Sequence, residues 1–420
     1  MGKLIFCNAI IIGTLLLDAV VSNSQITTGT NFVTFANRQD SLFINAYNQR
    51  DVKACPILLD EFMRRYNSLD SAKRKMYKGY LANVYYNLSC TYALLNDKSA
   101  ALEYLSKAIK TGYNNYSHIL ADNDLVSLHD DDLFKALVQP LRETGDYLYI
   151  IKKASVYNPD DKRPLPAFNY QTSDNPNLVA LRKVFNLDSI AGAGSDVSKI
   201  LNLMHWLHNM VPHDGNHENP AVKNAISMLA VCKKEGRGLN CRGLATVLNE
   251  CYLSIGFKSR FVTCLPKDSL GVDNDCHVIN MVYAPSLKKW LWIDPTFDSY
   301  VMNENGELLS IEEVRERIIN DQPLIISPDA NWNHKVSETK AYYLFYYMAK
   351  NLYRLQCPAN SEFDLETVAA GKKIEYINLL PLDYFKQPTK AEWVNPNNKA
   401  ATTDYFTNNP AYFWQTPQSN

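Results

Sequence analysis

A cysteine at position 241, a histidine 36 residues later and an aspartate 17 residues beyond that are the residue types from which a thiol nucleophile is assembled. A thiol attacks well only as thiolate, and a neighbouring imidazole can take its proton and remain beside it as imidazolium. A carboxylate on the far side of the ring then holds the tautomer that serves the sulfur. Attack on a carboxamide or peptide carbonyl would give an acyl-thioester, released by water or by an amine. This chemistry needs neither cofactor nor metal. Taken singly the residues are ordinary. A cysteine at a helix start is commonly a small buried hydrophobe, and an aspartate before proline is common turn chemistry. The case rests on their order and on the elements that carry them.

Those elements are legible. Gly238-Leu239-Asn240 turns into Cys241, and Leu244, Val247, Leu248 and Cys251 follow at helical spacing. Cys241 therefore opens an amphipathic helix, where unpaired backbone N–H groups and the helix dipole favour an anion. Gly256 closes the helix, and strands are expected over Ser259–Cys264, His277–Tyr283 and Trp290–Asp294. Pro285–Lys289 turns the chain between the last two, and Pro295 stops the third. Antiparallel pairing across that turn would bring the start of the His277 strand towards Asp294. A helix followed by short, closely linked strands predicts an α+β domain with an antiparallel sheet. The oxyanion of such a reaction would be held partly by the Cys241 N–H. Asn240 and Trp206, upstream, are the candidates for a second donor or for lining the cleft.

Further from this centre, residues 38–150 pattern as an all-α module. Tyr85, Leu88, Ser89 and Tyr92 share one helix and Ala101, Leu105 and Ala108 the next, with Asn96-Asp97 between them and Gly112-Tyr113 at the end. The spacing resembles one tetratricopeptide repeat, with weaker versions over Ser41–Tyr66 and Asn123–Leu141. Such a module can pack against the second domain or grip a peptide or protein partner. Residues 155–176, with Pro159, Pro164, Pro166 and Pro176, read as a linker. Helices are expected over Asn177–Leu187 and, behind a Ser195 cap, to Met210. Residues 301–420 form a C-terminal extension expected to pack on the core. A capping box at Ser310-Ile311-Glu312-Glu313 starts a helix to Ile319, and another helix is expected over Glu338–Leu355 with Tyr342, Phe345 and Tyr346 on its core side. No assignment is made for 390–420.

With 43 Lys+Arg against 44 Asp+Glu in 420 residues, the chain has no overall pull towards nucleic acid. Its 46% apolar and 11% aromatic content suits buried cores. Met1-Gly2-Lys3, an apolar run Leu4–Leu17 and then Ser22-Asn23-Ser24 match a secretory signal over residues 1–24, cleaved after Ser24. The expected location is thus periplasmic, extracellular or at the cell surface, with no integral membrane segment after cleavage. Cys264 and Cys276 flank one loop, as a disulfide pair or as free thiols. His213, Asp214 and His217 lack a complementary Cys or His pair for zinc and are expected in a turn near the cleft.

Four runs carry a family resemblance: Asn240-Cys241-Arg242-Gly243-Leu244-Ala245, Ser254-Ile255-Gly256-Phe257-Lys258-Ser259-Arg260, the His277 strand, and Trp290-Leu291-Trp292-Ile293-Asp294-Pro295-Thr296. Together they resemble the core of the transglutaminase-like superfamily, which has a papain-like fold. The resemblance spans roughly residues 195–300 and places the catalytic core at 177–300. It implies Cys241 as nucleophile, His277 as base and Asp294 as the residue orienting the imidazole. Members of that superfamily include amide-forming transferases, peptidases, deglycosylating amidases and inactive binding versions. A helical front before such a core resembles exported bacterial proteins. The expectation is a thiol-dependent amidohydrolase or acyltransferase acting on a peptide, protein or cell-wall peptide. Hydrolysis is favoured over cross-linking because water is always at hand. The alternative is a non-enzymatic peptide- or protein-binding module that keeps the triad as a relic.

Overall fold

The computed structural model describes residues 23–154, 156–215, 217–267 and 276–417. The expected export signal lies outside them apart from Asn23 and Ser24, which begin the first helix, Asn23–Gln49. The chain divides into two compact units at Asp146/Tyr147. Among the described residues, no helix is long and apolar enough to cross a membrane.

The first unit is helical. Its longer helices after the first are Ala54–Asn67, Lys78–Leu94 and Lys98–Thr111. Asp97 caps the last of these by accepting from the Ala100 N–H, and Gly112 ends it at φ +112°, a left-handed turn that glycine adopts without strain. Ala101, Leu105 and Ala108 are fully buried where this helix meets its predecessor. The small Ala101 and Ala108 allow the close approach at which Ser89 Oγ reaches the Ala101 carbonyl at 2.8 Å.

The second unit is mixed α and β. Its main sheet has seven strands in the order Lys390–Val394, Ala401–Thr407, Lys373–Leu379, Arg354–Pro358, Ser259–Leu265, His277–Ala284, Lys289–Ile293. All neighbours are antiparallel except Lys373–Leu379 with Ala401–Thr407. The three strands expected from sequence form one end, and residues 354–407 supply the remainder. Alternation along the strands sorts the two faces. Val282, Leu291 and Ile293 pack with Leu244, Val247 and Leu248 of the Cys241 helix. Met281 and Trp292 face the other way, towards Tyr343, Leu344 and Leu355.

Two helices differ from expectation. The stretch 177–187 is broken into Pro176–Val184 and Leu187–Ala191, because Asn186 sits in the left-handed region at φ 52°. The helix expected over Glu338–Leu355 spans only Lys340–Asn351, with a wide π turn over Tyr343–Met348, and a strand begins at Arg354. The wide turn rotates the apolar face: Tyr343, Leu344 and Met348 are buried, whereas Tyr342, Phe345 and Tyr346 are all half-buried.

The proline-rich stretch is short of regular structure but tied down. Asn169-Tyr170 pairs in parallel with Asn360-Ser361. The Phe168 ring lies 3.8 Å from the guanidinium of Arg260, and the Trp290 ring lies 4.9 Å from it. Arg260 is fully buried and donates to the Phe413 carbonyl (3.3 Å) and to Cys357 Sγ (3.7 Å).

Candidate active site

The site starts from a helix terminus. The helix spans Cys241–Ser254, and Asn240 caps it by accepting from the Gly243 N–H at 3.1 Å. Just upstream, the chain is held against residues 212–214: Asp214 N–H donates to the Leu239 carbonyl (2.8 Å) and Leu239 N–H to the Pro212 carbonyl (3.2 Å). Glycine is required at 238, since a Cβ there would stand 2.1 Å from the Pro212 oxygen. Arg242, in the first turn, pairs with Glu366 (Nε to Oε2, 2.8 Å) and lies over the Phe261 ring at 5.3 Å. Cys241 itself is half-buried beside Ala245, Phe261 and Val278.

His277 begins its strand opposite Cys264 and is almost wholly buried. Its Nε2 donates to Asp294 Oδ2 at 2.6 Å, and the rings of Phe297 and Tyr347 meet it edge-on at 5.4 and 5.2 Å. Asp294 is fully buried and surrounded by donors. Oδ2 also accepts from the Tyr343 hydroxyl (2.6 Å), and Oδ1 accepts from the N–H groups of Thr296 (3.0 Å) and Phe297 (3.4 Å). The Tyr343 oxygen in turn accepts from Trp292 Nε1 at 3.1 Å.

Electrostatics favour the ionised thiol. Burial alone would push the Cys241 thiol up, but hydrogen bonds from His213 and His277, and the charge of both imidazoles, hold it down at about 6. Burial likewise opposes a charged His277. The Asp294 carboxylate, by charge and hydrogen bond, and then Cys241 outweigh it and push the imidazole up to about 10. Both shifts favour a thiolate beside an imidazolium.

The structure thus brings together Cys241, His277 and Asp294, and adds two residues in other roles than sequence suggested. His213, considered above for metal, instead acts on the Cys241 thiol, and its backbone is held by the Asn333 side chain (N–H to Oδ1 2.6 Å, Nδ2 to carbonyl 2.8 Å). His217 turns to Asp214 at 2.6 Å instead, so the two histidines form no ligand pair. Tyr343 was hidden by the π turn that re-phases its helix. Of the oxyanion candidates, Asn240 commits its side-chain oxygen to the helix cap and to Asn219 Nδ2 (2.7 Å). Trp206 packs on Phe185, ring centres 5.9 Å apart, in the core between helices and sheet. Cys264 and Cys276 form no disulfide. Among the described residues, the group with metal-compatible spacing is Cys90, Asp122 and Asp124 in the first unit. There Tyr86 and Tyr47 hydroxyls already donate to the two carboxylates at 2.7 and 2.6 Å.

Tyr343→Phe removes one of the two donors to Asp294 Oδ2 and strands the Trp292 N–H. We expect a loss of about 1–3 kcal/mol in urea unfolding. Alkylation of Cys241 should stay within a few-fold of wild type, and a much larger fall would give Tyr343 more than a supporting role.

Residues 185–295 match the family model described as the transglutaminase-like superfamily. That segment contains Cys241, His277 and Asp294 and defines a transglutaminase-like domain, a class in which catalysis is typically cysteine-based. Over 85 residues the chain is also 31% identical to a chloroplastic protein of Arabidopsis thaliana, a similarity covering 20% of this chain and 25% of that protein. The chain thus spans about a quarter of that relative's length. No solved structure gives a significant match.

Proposed function

We propose that the second unit is a thiol-dependent amidohydrolase or acyltransferase acting on peptide or carboxamide bonds, with hydrolysis as the principal outcome. The observation that carries this is Cys241 at the start of a helix with His277, which is itself held by Asp294 at 2.6 Å; the shifts of both groups support it. Cys241 would attack the carbonyl carbon, and His277, already protonated, would pass its proton to the leaving nitrogen. Water activated by the then neutral His277 would release the acyl group. A binding protein has no physical need for a buried carboxylate that fixes an imidazole beside a thiol. We further propose export to the periplasm or cell surface, supported by the run Leu4–Leu17, and peptide or cell-wall peptide substrates. The helical unit is proposed as a tetratricopeptide-like module for packing or for a protein partner, supported by the small residues Ala101 and Ala108.

Iodoacetamide labelling of Cys241 across pH tests the proposal. Alkylation should level off above about 6, where the thiol ionises, and fall tenfold per pH unit below it. In His277→Ala the rise should move towards the ordinary thiol range, which cuts labelling at pH 7 by roughly tenfold or more. Cleavage of amides should fall again above about 10, as His277 loses the proton it must donate, while alkylation does not. A wild-type thiol that reacts only near pH 9 would leave the binding-module alternative standing. Screening peptides and cell-wall fragments with wild type against Cys241→Ala would then identify the amide.

A further inference from the structure

We propose that Cys276 is a resolving thiol for the nucleophile: a hydroperoxide oxidises Cys241, and Cys276 captures the product as a Cys241–Cys276 disulfide that a thiol reductant reopens. This deepens the thiol chemistry proposed above and rests on it. Three contacts put the two cysteines on one side of the sheet. Cys241 Sγ lies 3.9 Å from the Cys276 carbonyl oxygen. The next residue, Arg242, donates to Thr263 Oγ1 at 3.2 Å, and Thr263 is the cross-strand partner of Val278. Val278 and Phe261 in turn pack with Cys241 and Ala245. Side chains alternate along a strand, so Cys276, two positions before Val278, belongs to the same face, beneath the start of the Cys241 helix. Exposure singles out the same two residues. Of the eight cysteines among the described residues, Cys241 and Cys276 are half-buried and the other six are buried. Cys264, opposite His277, packs in the core on the other face of the sheet.

In the first step the Cys241 thiolate attacks the distal oxygen of the hydroperoxide. An S–O bond forms and the O–O bond breaks; the sulfur is oxidised to sulfenic acid, and the departing oxygen takes a proton and leaves as alcohol or water. In the second, the Cys276 sulfur attacks the oxidised sulfur. The S–O bond breaks, and hydroxide leaves as water with the proton that Cys276 carried. With hydrogen peroxide, two thiols thus become one disulfide and the peroxide becomes two waters. The state of the nucleophile suits this chemistry. Burial pushes the Cys241 thiol up, but the two imidazoles hold it down at about 6, so a thiolate meets the peroxide at neutral pH. Burial, then the charge of Asp294, pushes the Cys264 thiol well up and leaves it inert.

The test exposes the full chain to excess hydrogen peroxide and then to dithiothreitol, with iodoacetamide labelling of Cys241 as the measure of reduced sulfur. In wild type, peroxide should cut labelling by roughly tenfold or more, and dithiothreitol should restore it to within about twofold. Before reduction, a digest should contain the Cys241 and Cys276 peptides joined, short of their summed mass by two hydrogens. Cys276→Ser leaves the nucleophile and its imidazole partner in place, so labelling of the untreated variant should stay within about threefold of wild type. With no thiol to capture the sulfenic acid, peroxide should carry Cys241 on to sulfinic acid, a gain of two oxygens. Dithiothreitol should then recover less than about a tenth of the labelling. A Cys276→Ser variant that recovers as fully as wild type would overturn the assignment of Cys276 while leaving the reactive thiol intact. So would a wild-type digest in which Cys241 is joined to another cysteine or to none. A wild-type Cys241 that does not label near neutral pH before peroxide is added would instead overturn the thiol chemistry, and the pairing with it. Retention of helical and near-ultraviolet circular dichroism in the variant separates these outcomes from misfolding.

Discussion

Asp294→Asn should lower turnover by about 10³–10⁴-fold, the scale on which a wrongly oriented imidazole fails. The reason lies in what faces each carboxylate oxygen. His277 Nε2 and the Tyr343 hydroxyl donate to Oδ2, and two backbone N–H groups donate to Oδ1. An amide has one acceptor end and one donor end. With its NH₂ towards His277, the ring must accept at Nε2 and carry its proton at Nδ1, the nitrogen left for the sulfur, and so can no longer take the thiol proton. With its NH₂ turned the other way, it meets the N–H groups of Thr296 and Phe297 donor to donor. Either arrangement also leaves a buried donor unmet, at about 1–3 kcal/mol. The measurements are single-turnover acylation and the pH profile of Cys241 alkylation, whose rise should move up from about 6. Asp294→Asn with near-wild-type acylation would remove Asp294 from the proposed machinery.

The second large effect is on stability. Arg260→Ala should cost about 3–4 kcal/mol, comparable to deleting a buried aromatic side chain. The guanidinium fills the space between Phe168 and Trp290 and donates to the Phe413 carbonyl, so its removal opens a cavity where three distant stretches of chain meet. Its hydrogen-bond acceptors among the described residues are a carbonyl and a sulfur rather than a carboxylate. A buried cation held in this way gains little net Coulomb energy, and its worth here is shape and ring stacking. Arg260→Met, which keeps most of the volume and discards the charge, should therefore cost less than half as much. Urea midpoints of the two variants decide: equal losses would show that charge and hydrogen bonds hold this junction rather than packing.

What could be read from sequence was local. The Cys241 helix announced itself through Asn240, the apolar positions 244, 247, 248 and 251, and Gly256. The strands beside it read as short, largely apolar runs because both faces are buried, one against that helix and the other against the opposite core. The far half of the sheet carried no such signal. Lys390–Val394 is exposed at every position, and Ala401–Thr407 reads ATTDYFT; these segments are strands because neighbours pair with them, not because their own pattern demands it. Tyr343 escaped because a π turn breaks the period by which helix faces are counted. His213 escaped because its place depends on backbone pairing with residues 25 or more positions away and on Asn333, which no short-range pattern encodes. Helix ends moved by a few residues for equally specific causes, such as the left-handed Asn186.

The family match ends at residue 295, yet the groups that brace the site come later in the chain: Tyr343 on Asp294, Asn333 on His213 and Glu366 on Arg242. Four sheet strands between residues 354 and 407 also lie beyond it, one of them directly against the Ser259–Leu265 strand. A fragment ending near residue 300 would therefore hold Cys241, His277 and Asp294 but none of these later braces. Under the function proposed above, the Cys241 thiol of such a fragment should alkylate as an ordinary thiol, because the groups that brace its partners come from chain beyond the family match.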